Sequence, residues 1–375
     1  MTAVPGDAPR LWLHAADDGA GAVLFVLAQH LSAQPGAPSC LLTGAADALA
    51  AGPPAALDVF LREQAPQALV LAGQPLPRPL IERARAHGLG LFLVDAPRPV
   101  ERGWLPLPGA QLRLLRHFTQ IHARDLGAAE ALARRTRAGV TVQASGAMAR
   151  HAPAPPCDRA ALDELRAILG GRPAWFAQAL PLAEVEAALR AHVTAQRLAH
   201  RLLLIVSPAD ADAAAALVER GAADGLATAL RSQDEAPDET TQICIADAGE
   251  EPGLFQRLAH ICYLGGGLCP GVPTPPSAPA AALGAALIHG PYCSVADLAL
   301  LERLQRAGAA RRIASAIELG AAVGHFLQPE TLALAALKSW EIASEGSDAT
   351  ERVAQALLAW CRAPERGRST RGGGA

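Results

Sequence analysis

Three consecutive glycines, Gly265, Gly266 and Gly267, follow the apolar run HICYL and open the stretch LCPGVPTPPSAPAAALGAALIHGP, which carries no acid, lysine or arginine. Backbone N–H groups in such a turn, aided by a helix dipole, receive a phosphate or carboxylate without any side-chain charge. The same glycines equally serve a tight turn that brings strand and helix close together. Backbone can hold an anion but cannot take a proton, so acid–base chemistry has to come from elsewhere. Asp17 and Asp18, just before a glycine and a helical stretch, are carboxylates that act either as a general base or as helix caps. His14, on or just after the first apolar run, reads as a packed or hydrogen-bonded histidine. Glu250, in GEE, favours the N-terminus of the helix that follows it, and Gly290 with Pro291 reads as a turn.

The elements that must position these residues alternate in a regular rhythm. LWLHA (11–15), SCLLTG (39–44), ALVLAG (68–73) and GLFLVDA (90–96) are short apolar runs that read as buried strands. Between them, ALDVFLREQ and PLIERARAHG place apolar residues at helical spacing, the βαβ rhythm of a parallel sheet covered on both faces. Clustered prolines in RHAPAPPCD (150–158) then mark a linker. The rhythm restarts after it, with strands expected in LLLIVS (202–207), TQICIADA (241–248) and HICYLGGG (260–267). The expected organisation is an α/β protein of two doubly wound Rossmann-like domains, 1–150 and 158–362, facing each other across a cleft, with a disordered tail 363–375.

The 375 residues are 51% apolar and 18% charged, which excludes a disordered chain. A formal net charge of −3 argues against nucleic acid as a partner. Lys338 is the single lysine, so neither a Walker-type phosphate loop nor a Schiff-base enzyme is expected. The seven cysteines form no C-x-x-C pair and have no histidines at ligand spacing, and neither a metal nor a cofactor is expected. The opening MTAVPGDAPRLWLHAADDG lacks a signal-peptide pattern, which leads to the expectation of a cytoplasmic protein.

The order of motifs resembles the lipid A Kdo transferases, 3-deoxy-D-manno-octulosonic-acid transferases of the two-domain GT-B glycosyltransferase type. YLGGGLCPG…PAAALGAALIHGP is similar to that family's strand, Gly-Gly-Ser-Leu turn, long loop, EPAALG helix and GP turn. ADAGEEPGLFQRLAH resembles its Gly-Glu-Leu segment, and PAWFAQALPLAEVEAALRAH its Ser-Thr-His and Glu-Glu segment. LWLHAADDGAGAV resembles the entry motif His-x-x-Ser-x-Gly-Glu, and LFLVDAPRP falls where the family has Leu-Val-Asn-Ala-Arg. The likeness spans roughly residues 10–345 and implies an acceptor-side domain followed by a nucleotide-sugar domain. By the same likeness, Gly265, Gly266, Gly267, Glu250, Gly290 and Pro291 would contact a CMP-Kdo-like donor. The acceptor would be a lipid A precursor or other anionic glycolipid, met peripherally at the inner membrane in lipopolysaccharide biosynthesis.

The departures fall on the chemistry. The family's catalytic glutamate position is Ala20 and its serine is Asp17, so Asp18 or Asp17 would have to supply the base. SPADADA, from Ser207, replaces the loop Pro-Arg-His-Pro-Glu-Arg, and PPSAPA replaces His-Asn-Pro-Leu-Glu-Pro. Two functions follow: a Kdo transferase-like glycosyltransferase, or a non-catalytic paralogue that keeps the scaffold as a binding or regulatory module. An altered enzyme would place new polar groups toward the cleft, for which Asp17, Asp18, Asp95 and Glu250 are the candidates.

Overall fold

The computed structural model describes residues 8–47, 54–99, 110–233, 235–247 and 252–363. Glu250 lies outside them, as does the expected tail beyond Ala363. The chain folds as two compact units, one running to Ala152 and resuming at Glu345, the other spanning Pro153–Ser344.

In the first unit, β1 (Arg10–Ala15), β2 (Ser39–Thr43), β3 (Ala68–Ala72), β4 (Gly90–Ala96), β5 (Gln120–Ala123) and β6 (Thr141–Ala144) form a parallel sheet in the order β2-β1-β3-β4-β5-β6. Alternate strand residues feed opposite faces. Leu11, Leu13, Val70 and Phe92 pack with Leu24 and Leu27 of the helix Asp18–Ser32. Trp12, Leu69, Leu71 and Leu93 pack on the other side with Leu57, Leu80 and Ile81 of the helices Pro54–Gln64 and Arg78–Ala86.

The second unit repeats the plan. β7 (Ala174–Leu180), β8 (Leu203–Pro208), β9 (Thr228–Leu230), β10 (Ile243–Ile245), β11 (Ile261–Leu264), β12 (Ala286–His289) and β13 (Ala310–Arg312) run in the order β13-β12-β11-β7-β8-β10-β9, all parallel. Trp175, Leu204 and Tyr263 face the helices Val185–Gln196 and Ala316–Phe326, while Phe176, Leu203 and Cys262 face Arg159–Leu169 and Val295–Arg306. Two doubly wound α/β units in tandem are the components of a GT-B fold, the class expected from the sequence.

The chain's end departs from the expected division, which assigned 158–362 to one domain. The helix Ser347–Arg362 packs into the first unit, with Val353 and Leu357 buried against Leu24 and Val70. Trp360 meets Phe92 edge-on at 5.2 Å and occupies the space a side chain at Gly90 would need. Arg352 donates to the Ser145 carbonyl, and Thr350 accepts the Ala149 N–H at 3.0 Å. An amphipathic helix announces an apolar face in its sequence but not the sheet that will cover it.

Candidate functional site

In an open parallel sheet, ligands enter beyond the carboxyl ends of the strands, at the point where strand order reverses. That point lies between β1 and β3 in the first unit and between β7 and β11 in the second. Each is spanned by a carboxylate of the chain itself.

In the first unit, Asp17 follows β1 in extended conformation and caps the helix Asp18–Ser32. Its Oδ1 accepts the Ala20 N–H at 2.9 Å, and its Oδ2 accepts the Gln74 N–H at 2.8 Å across the crevice. A side chain at Gly73, whose φ is +87°, would sit 2.5 Å from that oxygen, so glycine is required for the clasp. Both Asp17 oxygens are therefore committed to structure. Asp18 is exposed in the first helical turn. Ala20 is buried in the core beside Val23 and Leu24 rather than presented to solvent.

Asp95 closes β4 where the ladder shifts register between Leu93 and Ala96, at a left-handed φ of +50°. Such a conformation costs a non-glycine residue about 1–3 kcal/mol, offset here by three interactions. Oδ1 accepts the Met148 N–H at 3.0 Å, Oδ2 pairs with Arg124 at 2.7 Å, and Arg150 stands 3.7 Å away. Only 3% exposed, Asp95 braces the carboxyl edge of this sheet and is not a free cleft carboxylate. His14 is buried with Nδ1 at 2.9 Å from Thr43 Oγ1, and burial pushes its pKa down, which favours the neutral ring.

In the second unit, the turn after β11 is built on Glu184, in the short 3₁₀ turn Leu182–Glu184 that follows β7. Its carboxylate is 1% exposed. It accepts Tyr263 Oη–H at 2.9 Å, the Gly266 N–H at 2.8 Å and the Leu268 N–H at 2.8 Å. Gly265 N–H is spent on the Gln178 carbonyl at 2.9 Å. Burial, and then the Glu184 charge, push the Tyr263 phenol up, so Tyr263 serves as a fixed donor.

Gly267 and Gly290 touch through their backbones: a Cβ on Gly290 would lie 2.0 Å from the Gly267 carbonyl oxygen, which also accepts the Tyr292 N–H at 2.9 Å. This contact explains why both positions are glycine. Both residues are buried; the β11–β12 register, which pairs Leu264 with His289, directs the Gly290 N–H toward the Leu264 carbonyl, whereas for the Gly267 N–H no hydrogen-bond acceptor is found among the described residues. Unpaired buried N–H groups are rare, and this one lies at the carboxyl edge of the sheet. The structure thus brings Gly265, Gly266, Gly267, Gly290 and Pro291 together in one unit, and places Asp17 and Asp18 in the other.

His289 and Cys293 lie beside this turn, with Sγ 3.2 Å from Nδ1. The Gly290 carbonyl, 2.8 Å from Nδ1, can only accept, so Nδ1 carries the proton and Nε2 accepts from Gln305 at 2.8 Å. The ring has no lone pair left for the thiol, which burial pushes up to about 11. This is not a nucleophile–base pair. Among the described residues, no group of three His, Cys, Asp or Glu is arranged to hold a metal ion, and no helix is long and apolar enough to cross a membrane.

Glu184 was not singled out by sequence reasoning, although it lies in the segment PLAEVEAAL that resembles a family Glu-Glu motif. The available signal was an acid just after an apolar strand, at the start of a helix. Its target, the glycine turn 82 positions on in the case of Gly266, is visible only in the fold.

No family model matches the chain, and no curated protein matches it. Among solved structures, the C-terminal CMP-Kdo binding domain of WaaA from Acinetobacter baumannii is similar at 17% identity, over 49% of this chain and 98% of that one, with a TM-score of 0.44. MurG from Acinetobacter baumannii is similar at 13% identity, over 94% and 99%, with a TM-score of 0.43. UDP-GlcNAc 2-epimerase from Neisseria meningitidis, solved bound to UDP-GlcNAc, gives 9% identity over 94% and 100%, with a TM-score of 0.41.

Proposed function

We propose that this chain is a GT-B glycosyltransferase-type protein that binds a nucleotide sugar at the turn after β11, and that its donor is of the CMP-Kdo kind. The observation that carries the reading is the buried glycine turn at the carboxyl edge of the second sheet, where Glu184 holds the Gly266 and Leu268 N–H groups and leaves the Gly267 N–H without an acceptor among the described residues. A backbone donor at such a turn suits a phosphate oxygen, and the uncharged loop around it suits a site that works through backbone alone. Glu184 fixes the turn through the Gly266 and Leu268 N–H groups, so the turn is preorganised. Pro291, half-buried beside Gly290, borders the same place, and Glu250 belongs to the reading through its motif alone. The order of motifs along the chain supports CMP-Kdo over other donors.

Sugar transfer needs a base for the acceptor hydroxyl and stabilisation of the departing phosphate. The glycine turn supplies the second. For the first, Asp18 is the remaining candidate in this reading, because Asp17 is bonded at both oxygens and Ala20 faces the core. The acceptor in this reading is a lipid A precursor, met at the inner face of the membrane in lipopolysaccharide biosynthesis. Incubation with CMP-Kdo and a lipid A precursor tests it. Transfer that falls about 10²- to 10⁴-fold in Asp18→Asn supports Asp18 as the base. Transfer unchanged in that variant removes Asp18 from the mechanism, and donor binding without transfer moves the chain to the second reading.

That second reading, a non-catalytic binding or regulatory module, is favoured by one observation. Carboxylates of the chain span both strand-reversal crevices, Asp17 to Gln74 and Glu184 to Gly266.

A further inference from the structure

At the opposite, amino end of the second sheet lies a depression of about 350 Å³, walled by the starts of β7 and β11 at Pro173 and Ile261. Its volume lies within the usual range for small-molecule sites. Three guanidinium groups, Arg166, Arg172 and Arg257, line it, and no carboxylate does. Arg166 stands in the last turn of the helix Arg159–Leu169, and Arg257 in the last turn of Pro252–Leu258. Each helix terminus contributes about half a negative charge, which leaves the pocket clearly cationic.

Two features distinguish this cluster from an ordinary solvated surface. Arg172 is 92% buried, its relative exposure being 8%, and is held by carbonyls rather than by an ion pair. It donates to the carbonyl oxygens of Arg201, Leu202, Asp238 and Thr241. Burial first, and then the charge on Arg201, push its pKa down, while Asp238 opposes the shift. Holding this charge in place without a contacting carboxylate is expensive unless an anion approaches. The second feature is the apolar part of the same lining, made by Leu169, Leu258, Leu327 and Leu332. Arg257 reaches its own helix through the Gly253 carbonyl at 2.8 Å, and Arg166 has no ion-pair partner among the described residues.

We propose that this depression is a binding site for a small organic anion with an apolar body, the anionic group held by Arg166 and Arg257 and the body lying on the leucine wall. Arg172 sets the potential of the floor while its donors remain on the backbone. The site is separate from the glycine turn, which lies at the carboxyl end of the same sheet, and stands whether or not a nucleotide sugar binds there.

Three probes separate the parts of the claim: 1-naphthyl phosphate carries both features, 1-naphthol only the apolar body, and inorganic phosphate only the charge. Titration of the full chain, followed by naphthyl fluorescence polarisation for the aromatic probes and calorimetry for phosphate, should show 1-naphthyl phosphate saturating at one per chain. The other two should bind at least about tenfold more weakly. The double variant Arg166→Glu/Arg257→Glu should weaken 1-naphthyl phosphate by about tenfold or more, while Pro291→Glu, at the glycine turn, leaves it unchanged. Should the double variant not fold, the single neutral variants Arg166→Gln and Arg257→Gln should each weaken binding several-fold, read beside an unshifted melting temperature. Equal binding of 1-naphthol, unchanged affinity in folded arginine variants, or no saturation up to about 10 mM probe would overturn the proposal.

Discussion

Glu184 and Gly266, 82 positions apart, are joined by a 2.8 Å hydrogen bond from the glycine N–H to a carboxylate that is 99% buried, its relative exposure being 1%. The glycine turn is thus shaped by an acid inside the fold, not by the sequence of the turn alone. Removing the carboxylate leaves the donors of Tyr263, Gly266 and Leu268 unsatisfied. At about 1–3 kcal/mol for each buried unsatisfied group, Glu184→Ala should lose at least about 3 kcal/mol of stability, and Tyr263→Phe only about 1 kcal/mol. Urea unfolding measures both. Equal, small losses would mean that the carboxylate does not organise the turn.

Asp17 and Asp18 are adjacent and should behave oppositely. Asp17→Ala removes a helix cap and the clasp to Gln74 and should cost about 1–3 kcal/mol. Asp18→Asn, at an exposed position, should stay within about 0.5 kcal/mol of the parent. Thermal unfolding distinguishes them, and a large loss in Asp18→Asn would reassign it to a structural role.

Gly290 and Gly21 offer a second contrast. A methyl at Gly290 would fall 2.0 Å from the Gly267 carbonyl oxygen, so Gly290→Ala should destabilise by several kcal/mol, on the order of 3. Gly21 lies inside the helix Asp18–Ser32 with open space where its Cβ would go, and Gly21→Ala should stabilise by about 0.5–1 kcal/mol. Melting temperatures that move together in the two variants would contradict the packing described.

Two buried histidines make stability fall with acid. Burial lowers His122 to about 4 and His192 to about 4, from an ordinary value of 6.5. The unfolded chain therefore binds protons that the folded chain refuses between those values. Their contribution is fully present above about pH 6.5 and is lost as pH falls through about 4, amounting to roughly 3 kcal/mol for each at most. Melting followed from pH 7.5 to 4 should decline over that window, and more shallowly in His122→Gln. A profile flat to pH 4 would contradict the burial.

Much of this architecture is legible in the chain. The strands around Trp12, Val70, Phe92, Ile205 and Tyr263 are continuous apolar runs, as buried parallel strands must be. The capping of Asp17 was one of the two readings its position allowed, and the fold shows why it holds: the second oxygen crosses to Gln74. Residues such as Ala310–Arg312 and Thr228–Leu230 form strands of three residues, too short to show a period. Glu184, the pairing of Gly267 with Gly290, and the attachment of the last helix to the first sheet are long-range relationships. Each depends on which elements become neighbours, which local pattern does not encode.

The most direct test of the central claim is calorimetric titration of the protein with CMP and CMP-Kdo, repeated on Pro291→Glu, which places a carboxylate next to Gly290 at the glycine turn, at a half-buried position. Saturable binding of both ligands, weakened by about tenfold or more in a variant of unchanged melting temperature, is the expected result. Absence of binding at about millimolar ligand, or binding indifferent to the added charge, would contradict a donor site at the glycine turn.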